Sequence, residues 1–513
     1  MAFGMSPFPL QFGSRGGGGD PTVLTDAILA ALGFTYTRTG EVYGRRAPGG
    51  PGNYVRHATN DPEFDFTEVD GKNYPSLIVR GAATPLISYS ADLTNAAWTK
   101  TNCTAALALG GLEHDADWRG GQVVQNSEFS ADSDFIKGTG WSIPDGTAVA
   151  SGVTNSDVLQ QNDCFTVGKY YLCEFDVDAT IGDFYAFLGT NGNFSAYVEL
   201  VVGVNSVIVR AIGTHLYIRT GHAGSSNGIT INYFRATEVD AHSLVTATGN
   251  NATVTRQLTR ASANRNTRWK IKAPSTNSGD VKVSQDNGST SITLTPGEFA
   301  DIELGEQTSA NPTIWLQLTD DGDTVEHYDV QMAELAAATP VPNFVPQGAT
   351  PAAVGNSSLS KTNSVEIEEV DISILAEING DSVFFRSHVP DYYDASVYVV
   401  SDTNLVVLNV RPDSEGFAQS FVDLGAVTPG EIGLVDVEHN ATAFRARKNK
   451  GTWIPATRYN ITGGTVVHIG TEWNGTGSMP FPMVAFRDNN GQLLGTPGTG
   501  FNIGAIERYE ASL

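Results

Sequence analysis

An all-β, multi-domain chain of jelly-roll and β-sandwich modules with one short N-terminal helix is what this sequence predicts, on three observations. Charged residues make up only 17% of the chain while Gly numbers 55, a composition suited to short strands joined by many turns. Long stretches such as VEIEEVDISILAEI and SVYVVSDTNLVVLNVR alternate apolar and polar residues, the period of a strand and not of a helix. At 513 residues the chain exceeds one compact core, and the size prior gives about three or four domains.

Taken in order, residues 1–20, MAFGMSPFPLQFGSRGGGGD, are apolar, then Gly-rich, and cannot fold alone. Ordering such a tail costs about 1 to 2 kcal/mol per residue, so neighbouring subunits are expected to hold it as an attachment arm. Asp20 as N-cap, Pro21 in the first turn, the spacing of Val23, Ile28, Leu29 and Leu32, and the stop at Gly33 predict the helix, which with the arm makes a unit of residues 1–33. Residues 34–86 read as a docking or linker region with little core of its own, in which FTYTRTGEVYGRR alternates like a short hairpin.

Within that region, Asn60, Pro62, Phe64 and Asp65 form an Asn-x-Pro-x-Phe-Asp turn. Arg80, Thr84 and Leu86 follow as a small link, then Tyr89, Ser90 and the Trp98 to Lys100 run. This ordered set resembles the leader of a phage virion protein family, in which the last segment opens a β-jelly-roll. A second stretch, VVQNSEF followed by FIKGTGWSIPDGTAVASG with Gly138, Gly140, Trp141 and Gly146, is similar to a phage carbohydrate-binding-like module that TVGKYYLCEFDV would continue and GITINYFRATEV would close. Val330, Gln331, Glu334, Thr339, Pro340 and Pro346 match the exit of a module of the first type. The resemblance therefore implies a first jelly-roll split into residues 87–122 plus 241–348, with a second module, 123–240, inserted. Tandem modules, the first truncated, are the alternative. Residues 349–363 read as a Pro, Ala, Ser and Asn linker, and 364–513 resemble the laminin-G or concanavalin-like sandwich that ends such phage proteins.

A formal net charge of −25 opposes nucleic acid or an anionic membrane surface as partner. No window reaches the roughly 18 apolar residues of a membrane span, and the N-terminus lacks the regions of a signal peptide. Three cysteines, Cys103, Cys164 and Cys173, are too few for a disulfide framework and are expected as buried free thiols.

Several patterns mimic catalytic motifs. Gly224, Ser226 and Gly228 spell G-x-S-x-G, but the flanks read as strands where a nucleophile elbow needs a strand-to-helix turn. Gly380, Asp381, Ser382, Asp436 and His439 imitate an esterase class whose α/β domain is absent here. Asp320, Asp321 and Asp323 sit where a hairpin turn needs Asp and Gly. No catalytic residue and no metal ligand is therefore assigned. No cofactor is expected either, structural calcium being the one ion the acidity would suit.

Sugar binding uses exposed aromatic rings beside amides and carboxylates. Trp98, Trp141, Trp269 and Trp315 are assigned to cores. Trp453, Trp473, Tyr392 and Tyr393 fall in turn-rich stretches beside Asn474 and Asp391 and are the candidate carbohydrate-binding residues. The resemblance implies a structural virion protein of a tailed bacteriophage, made in the host cytoplasm: a tail fibre or spike-type component with carbohydrate-binding-like modules for host adhesion. The alternatives are a head-attached fibre or decoration protein and, further off, a glycan depolymerase. Expected partners are other virion proteins through the N-terminal arm, a host-surface glycan, and further copies in a homo-oligomer. A trimer would be typical of fibres, although no coiled-coil heptads enforce it.

Overall fold

The computed structural model describes the chain apart from residues 1–23, 80–81, 145, 194–195, 222–226, 262, 335–352, 354–357, 364–366, 379–381, 389–395, 402–403, 414–415, 427, 429, 460–465 and 470–480. Strands hold 52% of it and helices 4%, so the all-β expectation is met. The strands form three sandwiches built one inside another.

The innermost runs from residue 123 to 240. One sheet orders Gly203–Arg210, Tyr170–Ile181, Asn227–Val239, Ala148–Val153 and Trp141–Ser142; the other orders Tyr197–Glu199, Phe184–Gly189, His215–Thr220, Leu159–Gln161 and Ile136–Lys137. The alternation of YYLCEFDV sends Tyr171, Cys173, Phe175 and Val177 inward, where they meet Trp141, Phe184 and Phe234 in one core. Cys164 and Cys173 are free and buried, and Cys103 is free and half-buried.

The middle sandwich takes strands from both sides of that insert. Cys103–Leu109 pairs with Ala241–Ala247, and Thr99–Thr101 pairs with Ala252–Gln257. Arg265–Lys272, Phe299–Gln307 and Thr324–Glu334 extend the first sheet; Thr313–Leu318, Val281–Ser284 and Ile292–Thr293 extend the second. Trp98 and Trp269 fill the space between them, at 2% and 1% exposed.

The outer sandwich departs from expectation. Residues 34–86, expected to have little core of their own, contribute three of its strands: Thr35–Thr37 pairs with Ser358–Thr362, and Glu63–Val69 and Lys72–Val79 extend the sheet of Val370–Ile378 and Phe481–Asp488. Ser358–Thr362 lies in the segment read as a linker, yet it sits between two strands with Leu359 fully buried. The N-terminal helix, Asp26–Ala31, starts later than expected. Thr25 is its N-cap, its hydroxyl accepting the Ile28 N–H at 3.2 Å, and Gly33 at φ +78° ends it. The helix packs through Leu29 into the same core as Phe444 and Phe486, so it belongs to the sandwich and not to a free arm. The expected attachment arm itself lies outside the described residues.

A second helix, Ile503–Ser512, was not expected; Ala505 and Ile506 bury its inner side. At its start Asn502, buried at φ +48°, ties the two ends of the sequence together. Its amide donates to the carbonyls of Pro75 and Val484 at 2.6 Å each and its oxygen accepts the Leu24 N–H at 2.7 Å.

Candidate functional site

Of the four aromatic residues proposed to bind carbohydrate, Trp473, Tyr392 and Tyr393 lie outside the described residues. Trp453 is half-buried, with the guanidinium carbons of Arg445 and Arg447 at 4.7 and 4.4 Å from its ring. Those arginines are held in turn by Glu438 at 2.6 Å and Asp436 at 2.8 Å. The ring is thus a cover for an ion-pair ladder on the sheet.

Gly380 and Asp381 lie outside the described residues; the other motif look-alikes resolve as structure where they are described. Asp436 and His439 are three apart on the strand Glu431–His439 and so point to opposite faces. The carboxylate accepts the Ser373 hydroxyl at 2.7 Å, while His439 Nε2 meets the Tyr459 carbonyl at 2.7 Å. They form no dyad. Residues 224–226 of the G-x-S-x-G lie outside the described residues, and Gly228 lies within a strand. Asp323 caps the Ser278 and Gly279 N–H groups at 2.8 and 2.9 Å, and Asp320 accepts the Ser278 hydroxyl at 3.0 Å, so both serve the turn. Among the described residues no group of three His, Cys, Asp or Glu side chains is arranged to hold a metal ion.

Two concavities stand out among the described residues. The first lies where the inner and middle sandwiches meet the two-stranded hairpin of Val42–Arg45 and Tyr54–His57. Glu113 accepts from Arg56 at 3.1 Å, and Lys169 bridges Glu113 at 3.8 Å and Glu238 at 3.2 Å. Burial raises the Glu113 carboxyl, but Arg56 and Lys169 outweigh it and hold the group below its usual range. Asp240 accepts the N–H groups of Glu113, His114 and Ala241 at 2.7, 3.0 and 3.0 Å, and burial pushes its carboxyl up to about 6. His114 stacks on Trp118 at 3.8 Å. The free space is about 50 Å³, room for about three or four water molecules and not for a sugar ring. This is a joint.

The second is a groove of about 610 Å³ at one end of the middle sandwich, within the size range of small-ligand sites. One wall comes from residues 285–292 and the other from 304–313, and the Asn287 N–H donating to the Thr313 carbonyl at 3.1 Å fastens them together. Asn287 and Asn311 both take left-handed backbone, φ +60° and +54°, which their short polar side chains tolerate. Gly288 at φ +83° lies on the Trp315 ring so closely that an added Cβ would come within 3.2 Å of it. Trp315, assigned to a core, is instead half-buried under that loop.

Asp286 accepts the Ser284 hydroxyl at 2.6 Å and the Thr290 N–H at 2.8 Å. Burial alone would raise its carboxyl, yet these donors bring it below the usual range and keep it ionised. Gln307 uses its oxygen on the Ser309 N–H, and Asn311 uses its oxygen on the Arg260 N–H. The Asn287 side chain and the amide nitrogens of Gln307 and Asn311 make no hydrogen bond among the described residues. An array of unspent donors and acceptors around a concavity is what a polar ligand needs.

A scan against protein-family models found no match for this chain, and a search of curated proteins found none. The groove was missed in the sequence because its polar residues come from two loops about 20 positions apart, each reading as ordinary turn composition. The only local signal was the pair of Asn residues beside Gly288 and Pro312.

Proposed function

We propose that this chain is a structural component of a tailed-phage virion, a tail-fibre or spike-type part that adheres to a host-surface glycan. The observation that supports the adhesive role is the 610 Å³ groove with its unspent amides on a rigid all-β scaffold. Hydrolysis of a glycan would call for two carboxylates at a defined separation. Asp286 is the one carboxylate among the described side chains that line the groove, which supports reading it as a binding site. Assignment to the virion, to other virion proteins as partners and to a homo-oligomer rests on the sequence resemblance of residues 56–100 and 123–146.

A head-attached fibre or decoration protein is the second reading. The ion-paired joint supports it, since Lys169 bridging Glu113 and Glu238 fixes neighbouring modules against each other as a spacer requires. Mass spectrometry of purified particles tests the virion assignment. Saturable binding of the labelled chain to host cells, lost when surface polysaccharide is stripped, is expected of the adhesin; equal absence of binding to intact and stripped cells would leave the spacer.

A further inference from the structure

Resting on the adhesive reading above, we infer that the groove of the middle sandwich selects an uncharged saccharide and rejects acidic ones. Among the described side chains that line it there is no Lys or Arg, and Asp286 is the one carboxylate. Arg265 lies behind one wall, donating to the Ser309 carbonyl at 3.1 Å. Its side chain is fully buried and paired with Glu334 at 3.0 Å, so it presents no charge to a ligand. On a chain of net charge −25, a uronate, sialate or phosphate entering this groove would meet the Asp286 carboxylate and no cationic side chain among the described residues that line it.

The groups that remain fit a neutral sugar. Asp286 and the Asn287 amide oxygen accept hydroxyl protons, while the amide nitrogens of Asn287, Gln307 and Asn311 donate to hydroxyl and ring oxygens. Ile292, 40% exposed, offers an apolar surface for the C–H face of a pyranose ring. Hydrogen bonds to neutral partners are salt-insensitive, so binding is expected to be nearly unchanged between low and physiological ionic strength.

Two kinds of variant test this on the full chain. Asn287→Ala with Asn311→Ala removes hydrogen-bonding groups. Gly305→Phe fills the groove: a Cβ there meets nothing within 4 Å, and Gly305 does not use positive φ, so the fold tolerates it. The probes are neutral hexose oligosaccharides and matched oligosaccharides carrying uronate or sialate, with intact and stripped host cells run in parallel. The expected result is neutral-sugar binding by the parent chain, weakened about ten-fold or more by the double variant and abolished by Gly305→Phe, with unchanged thermal unfolding. Preference for the acidic set overturns the inference. Neutral-sugar binding that survives both variants overturns the groove while leaving the adhesive reading intact, and binding to cells without binding to either oligosaccharide set does the same. Absence of binding to cells removes the adhesive reading itself.

Discussion

Asp301→Asn should loosen the contact between the middle sandwich and the two-stranded hairpin of Val42–Arg45 and Tyr54–His57, which is tied to the outer sandwich by the Arg45–Asp65 ion pair, and the structure sets the size of the effect. Arg268 grips Asp301 through two parallel hydrogen bonds, 2.6 and 2.8 Å, and the Tyr54 hydroxyl from the hairpin of residues 42–57 donates to the same carboxylate at 2.7 Å. Both charged side chains are only 16% exposed, and the buried Lys270 adds a further positive charge nearby. Removing the carboxylate charge leaves Arg268 with Glu303 at 3.7 Å among its partners. A buried pair broken on one side costs about 3 to 5 kcal/mol; the residual exposure and Glu303 place this case at the low end, about 3 kcal/mol. Tyr54→Phe, which deletes one hydrogen bond to a charged acceptor, should cost about 1.5 to 3 kcal/mol, and the double variant should fall short of the sum because the two share a partner. The pH dependence follows from the direction of the shift. Burial raises the Asp301 carboxyl, but Arg268 and Lys270 overwhelm it and hold the group well below its ordinary 3.8. Its stabilisation is therefore complete above about pH 4 and declines as the pH falls below that value. Calorimetric unfolding of parent and variant at pH 7 and at pH 2.5 to 3 is the assay. A difference below about 1 kcal/mol at neutral pH, or one that does not shrink in acid, would refute the reasoning.

Asp329 should behave in the opposite sense: burial lifts its carboxyl to about 6 despite Lys270 at 4.0 Å, so its contribution falls as pH rises from about 4 to about 6, by about 3 kcal/mol, and then levels. The stability difference between parent and Asp329→Asn across that range measures it, and a flat difference contradicts it. Trp453→Ala should leave sugar binding unchanged while costing about 1 to 2 kcal/mol through its two lost guanidinium contacts, read by sugar titration and thermal unfolding. Thiol titration of the native protein should find Cys103 alone reactive, because Cys173 is fully buried and burial pushes the Cys164 thiol up to about 11; all three should react once the chain is unfolded.

The all-β class was legible because inward and outward residues alternate over long runs, as in Tyr170–Ile181, and that period survives whatever the partners are. Partner choice was not. Lys72–Val79 pairs with a strand some 400 residues later, Val79 opposite Phe481, and nothing local to residues 72–79 records that. The helix Ile503–Ser512 escaped notice because only Ala505 and Ile506 are fully buried, too small an apolar stripe to stand out in FNIGAIERYEASL. The surroundings of Trp453 were illegible for a physical reason as well. A half-buried indole in a turn-rich segment looks alike in sequence whether its ring awaits a sugar or lies on arginines. The groove depends on amides, which carry no periodicity and no spacing rule.

Nesting three sandwiches requires that each interrupted module hold the two ends of its insert together, and the junctions do so with backbone pairing. Gly120 and Val123 donate to the carbonyls of Glu238 and Ala236, both at 2.9 Å, where the inner sandwich leaves and returns to the middle one. Leu86 donates to the Met332 carbonyl at 2.8 Å, with Pro85 opposite Ala333, where the middle sandwich leaves and returns to the outer. Ends already adjacent mean that an insert adds little loop-closure cost to its host. They also mean that the chain leaves and re-enters each host module at neighbouring points. A ligand held in the groove of the middle sandwich would therefore pull on the outer sandwich through two covalent connections and through the Tyr54 to Asp301 contact. That is the mechanical arrangement an adhesive surface under load calls for, and the reason the Asp301 variant should weaken the coupling between the sandwiches without altering the groove.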